Sequence, residues 1–246
     1  MSARILALET STLSCSVALF DGGACVHSEQ RCEEQHVHAS NLLPMIDAAL
    51  KAAGWQASDL ASVAVCAGPG SYTGLRIGTS TAKGICHAHG IPLIAINSLE
   101  IQAYHTVANG PLEAGATVIA VMDARRDEVY TQTFRWSGER FDALDETRAL
   151  VIESQAGVDA LFPHATDDAI VVGDAADKTE RLLADKGLNW NFIAAHPTAK
   201  CARIPALDAW ANQRFEDVAY FTPAYLKDFQ AGQPKDPLGL RKSAPA

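Results

Sequence analysis

The sequence has no Cys-x-x-Cys pair, no run of Lys and Arg, no G-x-S-x-G elbow and no long apolar stretch near its start. Each absence removes a class of function. The six cysteines, Cys15, Cys25, Cys32, Cys66, Cys86 and Cys201, fall mostly inside apolar runs, where a thiol behaves as a small hydrophobe, so a reducing compartment is expected rather than a disulfide framework. The apolar run after Arg4 is cut by Glu9, too short for a signal core or a membrane span. A soluble, cytoplasmic protein with no membrane partner is therefore expected. Twenty-nine acidic residues against twenty basic ones give a net charge of −9. That balance offers no general attraction for a phosphate backbone, so contact with a nucleic acid is expected only through a partner. Without G-x-S-x-G there is no serine-hydrolase signature. His36 and His38, and His87 and His89, form two H-x-H pairs, but residues two apart leave a helix on opposite sides. Neither pair has the i, i+4 spacing that chelates a metal from one helix face, so no metal site is expected.

What remains is an apolar-rich chain of 246 residues, 48% hydrophobic, enough for one large domain or two lobes. "RILALET", "SCSVALFD" and "GACVHSEQR" read as three strands, the last two joined by the hairpin signal Asp21-Gly22-Gly23. Leu42, Leu43, Ile46, Leu50 and Ala53 then recur at helical spacing, with Asn41 as the expected N-cap and Pro44 in the first turn. "SVAVCA" reads as a buried strand, "LRIGTSTAKGICHAH" as a helix closed by Gly90, and "PLIAI" as another buried strand. From Thr117 the logic repeats: an apolar strand ending in an acid (Asp123, as Glu9 before), a turn, a second strand, Gly138 and a third strand. "AIVVG", a helix over 177–186, "NFIAA" and a helix over 204–215 follow. The pattern predicts a duplicated two-lobe α/β fold of the actin, Hsp70 and sugar-kinase class, with mixed sheets flanked by helices. Its expected lobes are residues 1–110 and 111–229, with a disordered tail at 230–246.

"GPGSYTGLRIG", Gly68 to Gly78, raises the question of a phosphate loop. A Walker A loop needs Lys-Ser/Thr after its last glycine, and a dinucleotide loop needs G-x-G-x-x-G followed by an acid at the end of the next strand. This stretch satisfies neither, and "PLIAI" ends at Asn97. It still offers a strand end, the hydroxyls of Ser71 and Thr73 and a helix start, so Thr10, Ser11, Gly68, Gly70, Ser71 and Asp123 are candidates for a nucleotide or anion. The alternative is a tight turn with hydroxyl caps. Gly74, Gly78, Ala82 and Cys86 lie four apart, a row of small side chains that lets another backbone approach. Glycine inside a helix costs about 1 kcal/mol relative to alanine, so close packing must offset it, either on the chain's own sheet or on a second subunit.

Five stretches in order, "ILALETSTLSCSVAL", "HASNLLPMI", "AGPGSYTGLRIGTSTAKG", "VMDARRDEVY" and "PAYLKDF", resemble the TsaB (YeaZ) family of bacterial threonylcarbamoyladenosine synthesis on tRNA. The resemblance implies an actin-like, non-catalytic subunit that pairs through its first lobe with TsaD, the catalytic subunit. It also implies the ATPase TsaE in the complex, TsaC as the supplier of the activated group and a homodimer when the chain is alone. No intrinsic cofactor is implied, only ATP or ADP in the assembled complex. TsaD-like chains carry an H-x-x-x-H metal motif where this chain has "NSLEIQAYHTVANG", with His105 alone. On this reading Leu42, Ile46 and Leu50 with Gly74, Gly78, Ala82 and Cys86 form the interface core, and Gly78→Leu breaks the complex while sparing the fold. Two rival readings stay open. One is a stand-alone kinase-like enzyme using Thr10, Ser11 and the Gly68 loop on phosphates with Asp123 on a magnesium-bound water, and the other is a metallopeptidase.

Overall fold

The computed structural model describes residues 3–32, 38–152 and 158–227. Strands β1 (Arg4–Glu9), β2 (Ser14–Asp21) and β3 (Ala24–Cys32) form an antiparallel meander, and β4 (Ser62–Cys66) and β5 (Leu93–Ile96) add in parallel on the other side of β1. The sheet order is β3-β2-β1-β4-β5. In the second sheet, β6 (Thr117–Asp123), β7 (Glu128–Trp136) and β8 (Phe141–Ala143) make the meander. There β10 (Ile170–Gly173) and β11 (Asn191–Ala194) are the parallel additions, giving β8-β7-β6-β10-β11. Position for position the two orders are the same, so the repeat read in the sequence is a duplicated architecture and the α/β fold class stands. The second copy has an extra strand, β9 (Arg148–Val151), paired with β7.

Helices α1 (His38–Ala53) and α2 (Tyr72–His89) pack on β1 to β5 and on each other. A 3-10 turn at Ala199–Ala202 and helix α6 (Arg203–Ala211) pack on β1, β2, β3 and β5. Helix α3 (Ser98–Ala108) lies on β6, β7, β8 and β10, while α4 (Val158–Leu161) and α5 (Ala176–Leu182) belong to a core of Ile119, Val121, Phe162, Val171 and Trp190. The main core runs without a break from β1 through α3 into Val118, Met122 and Phe134, so the lobes share apolar contact rather than meeting across water. This sharing corrects the expected boundary, because α3 packs with the second lobe and residues 199–224 return to the first. No helix among the described residues is long and apolar enough to cross a membrane. The expected tail at 230–246 and His36 lie outside the described residues.

Three local expectations shift. Helix α1 begins at His38, so Asn41 and Pro44 sit inside it; Pro44 is exposed, and its ring costs the helix one backbone bond. His38 is buried. The helix expected over 177–186 is α5 followed by a 3-10 turn at Ala184–Lys186, and the one expected over 204–215 stops at Ala211.

Candidate functional site

Strand β1 ends at Glu9, and the chain turns through Thr10, Ser11, Thr12 and Leu13 before β2. Strand β4 ends at Cys66 beside it and enters the glycine loop, whose Ser71 caps α2 by accepting from the Gly74 N–H at 3.2 Å. The two turns are tied together. Ser71 N–H donates to the Ser11 carbonyl at 2.6 Å, and Thr10 donates its N–H to Cys66 Sγ (3.2 Å) and its hydroxyl to the Gly74 carbonyl (2.9 Å). Gly68 and Ser98 exchange bonds, the Gly68 N–H reaching Ser98 Oγ at 3.2 Å and the Ser98 N–H reaching the Gly68 carbonyl at 2.9 Å.

The glycines follow from this knot. A Cβ on Gly70, at φ +151°, would fall on the Ser11 carbonyl. Cβ atoms on Gly74 and Gly78 would fall on the Thr10 carbonyl and the Thr10 hydroxyl. Gly68 holds φ +97°, and its Cβ would lie 2.6 Å from the Ala224 carbonyl. The loop is therefore shaped around the protein's own backbone at Thr10, Ser11 and Ala224. Thr10, Ser11, Gly68, Gly70 and Ser71 lie together; the Thr10 N–H and hydroxyl and the Ser71 N–H are bonded within this group of turns, whereas the hydroxyl of buried Ser11 has no hydrogen-bond partner among the described residues.

The interface residues need the same correction. Gly74, Gly78, Ala82 and Cys86 face inward, as do Leu42, Ile46 and Leu50, and all seven are buried in the isolated chain. The small row exists so that α2 can lie on the Thr10 turn, and Gly78→Leu would strike the fold itself.

Asp123, at the end of β6, makes its bonds within the second lobe: Lys178 Nζ at 2.8 Å and the Arg125 N–H at 3.2 Å on its carboxylate, and its own N–H to Asp174 Oδ1 at 3.0 Å. Arg125 and Arg126 at the turn tip hold φ of 69° and 54°, the left-handed region that side chains other than glycine occupy at some cost.

Two features escaped the sequence reading. Asn97 Nδ2 donates to Gln132 Oε1 (3.0 Å) and Thr147 Oγ1 (2.6 Å), and Thr147 donates to Gln132 Oε1 (2.7 Å), a closed polar link between β5 and the second sheet. Glu9, counted only as a strand end, is wholly buried. One of its oxygens accepts from the Ser11 N–H at 2.6 Å and the other, Oε2, has no hydrogen-bond partner. Burial pushes its carboxyl from 4.5 up to about 7, only partly offset by the Ser11 bond. Because the folded-state value is the raised one, the stability Glu9 contributes is complete below its ordinary value and is lost as pH rises through 7. Glu9→Gln should therefore gain on the parent by roughly 3 kcal/mol between about pH 5 and pH 8, as read by denaturant unfolding across that range. Glu100, also raised to about 7 by burial, keeps its slope in both proteins and so cancels from the comparison.

His105 lies on α3 with Ile101 and Asn109 at the positions one turn away, so an H-x-x-x-H pair cannot form there, and the residues present do not fit that metal. Among the described residues no group of three or more His, Cys, Asp or Glu is placed to hold a metal ion.

The sequence profile described as TsaD, tRNA N6-adenosine threonylcarbamoyltransferase, matches residues 32–232. The chain belongs to the TsaD family. Its relatives include both TsaB proteins and threonylcarbamoyltransferases. The TsaB protein of Escherichia coli K12 is 36% identical over 149 residues, 57% of this chain and 62% of that protein. A threonylcarbamoyltransferase of Pelobacter propionicus is 28% identical over 241 residues, 83% of this chain and 68% of its own. The solved structure of YeaZ from Pseudomonas aeruginosa superposes with a TM-score of 0.79 at 29% identity, covering 91% of this chain and all of that one. The matched part spans 51% to 62% of the first two TsaB relatives.

Proposed function

We propose that this chain is a partner subunit of the machinery that places a threonylcarbamoyl group on a tRNA adenosine, and that it binds and stabilises a TsaD catalytic subunit instead of performing the transfer. The observation that carries this reading is the filled glycine loop. The Ser71 N–H at the start of α2 donates to the Ser11 carbonyl, the Gly68 N–H to Ser98, and the Ala224 carbonyl lies against Gly68. His105, standing alone where the resemblance implies a histidine pair, supports the same reading.

The docking face is the outer side of α1 and α2. Leu43 on α1 is 59% exposed beside exposed Pro44. On α2 Thr73, Arg76, Ser80 and Gly84 are exposed, the last three falling midway between members of the buried row and so on the opposite side of the helix. Gly84 is the informative residue. It lies inside an exposed helix face with nothing within 4 Å of where a Cβ would stand, so no packing within this chain repays its cost of about 1 kcal/mol. Close approach of a helix from a second protein would repay it. A homodimer of the isolated chain would use the same face, and ATP or ADP, TsaE and TsaC would act in the assembled system.

The test is co-elution of the purified chain with the TsaD subunit of its own organism on a sizing column. A stable joint peak is expected, and separate elution at micromolar concentration would overturn the proposal. The kinase-like reading is tested on the isolated chain by calorimetry with Mg-ATP, where no binding heat is expected.

A further inference from the structure

After α6, which packs on the first sheet, the chain continues across that lobe. Glu216 N–H donates to the Leu93 carbonyl at 2.9 Å and covers the open edge of β5. Lys83, projecting from α2, donates its ammonium to the Ala219 and Phe221 carbonyls at 3.0 and 3.1 Å. Ala224 N–H then bonds the Ala67 carbonyl at 2.8 Å, its own carbonyl fills the space in front of Gly68, and the Tyr225 ring lies 4.8 Å from that of Tyr72 at the first turn of α2. Lys227 finally crosses to the second lobe, where its ammonium pairs with the Glu128 carboxylate, donates to the Ala124 carbonyl at 3.0 Å and sits 5.5 Å above the Tyr130 ring.

We infer that residues 212–227 are an interlobe strap: backbone bonds and the Lys83 clasp hold it to the first lobe, the Lys227 latch holds the second, and between them it seals the glycine loop. The arrangement has two kinds of attachment of unequal strength. On the first lobe the strap is held by backbone hydrogen bonds, a buried Pro223 and a lysine bonded to two carbonyls, many small terms that open together. On the second lobe it is held by a single side chain, Lys227, through one partly exposed ion pair, one carbonyl bond and a ring contact, which salt or a competing charge weakens first. Opening therefore starts at Lys227. It uncovers Ala67 and Gly68 before Glu216 leaves β5, and it leaves the Asn97–Gln132–Thr147 link and the shared core to hold the lobes. The buried Gly68 end of the loop is uncovered only in the unlatched state, and its exposure is coupled to the freedom of the Ala124–Glu128 turn. The inference shares the Ala224 contact with the partner reading, but it is tested on the isolated chain, so either can fail without the other.

The experiment is amide hydrogen exchange by mass spectrometry on the full chain and on Lys227→Met, Lys83→Met and Tyr225→Ala. Lys227→Met should speed exchange at Ala224, at Ala67–Ser71 and at Ala124–Glu128 by about tenfold or more while Glu216 stays protected. Lys83→Met should extend the loss to Glu216–Ala224, and Lys227→Arg should restore parental rates. Tyr225→Ala removes no charge and should still expose the Ala67–Ser71 segment, so the test survives if a lysine variant folds poorly. Unchanged exchange at Ala67–Ser71 in the folded variants would overturn the seal. Unchanged exchange at Ala124–Glu128 in Lys227→Met would overturn the latch.

Discussion

Gly74→Ala is expected to destabilise the protein by about 2 kcal/mol or more, although alanine is the better helix former. The propensity gain is about 1 kcal/mol, and the steric cost must exceed it because the obstacle cannot yield. A Cβ at position 74 falls on the carbonyl oxygen of Thr10, and that residue is fixed by its N–H on Cys66, its hydroxyl on the Gly74 carbonyl and the neighbouring bond from Ser71 to Ser11. Relief requires moving α2 away from the end of β1, which opens the packing around Leu75 and buried Glu9. Gly84→Ala in the same helix faces open space and should stabilise the isolated protein by up to about 1 kcal/mol. Guanidinium unfolding of the two variants beside the parent reads both signs. Equal, small effects would mean that α2 does not rest on the Thr10 turn.

Gly84→Trp and Leu43→Asp should leave the melting of the isolated chain within about 0.5 kcal/mol of the parent and weaken binding to a TsaD subunit by more than about a hundredfold. Leu43 is mostly exposed, and nothing lies within 4 Å of where a Cβ on Gly84 would stand. At a helix-on-helix contact, though, an indole at a glycine position prevents the approach, and an aspartate at a leucine position buries an unpaired charge. Titration calorimetry gives the affinities. Tight binding by both variants would move the docking face elsewhere on the first lobe.

Much of the fold was legible because its determinants are local. Asp21-Gly22-Gly23 marks a hairpin by turn chemistry alone, Gly90 ends α2 in the left-handed conformation that glycine prefers, and the acid at Glu9 recurs at Asp123 because the meander recurs. The inward or outward sense of the small row on α2 was not legible. Spacing by four places Gly74, Gly78, Ala82 and Cys86 on one face but does not say what that face meets, and the deciding contact, with Thr10, comes from a distant part of the chain. Gly84 carried the opposite signal and was hidden for the same reason: a glycine with open space around it is visible only once the space is. The strap was equally silent. Residues 212–227 have no periodicity, and their role rests on Lys83 and Glu128, which no sequence window places beside them. Glu9 reads as a surface-type residue until the strands on either side of it are in place.

The central claim, that this chain supports the transfer without performing it, is tested most directly by reconstitution with purified components. Threonylcarbamoylation of a tRNA substrate would be followed with the TsaD, TsaE and TsaC subunits of the same organism, with and without this chain. The account predicts full product with all four proteins, a drop to near background when this chain is omitted, and none from this chain with TsaC when TsaD is left out. Product formed without TsaD would contradict it, as would a yield that does not change when this chain is removed.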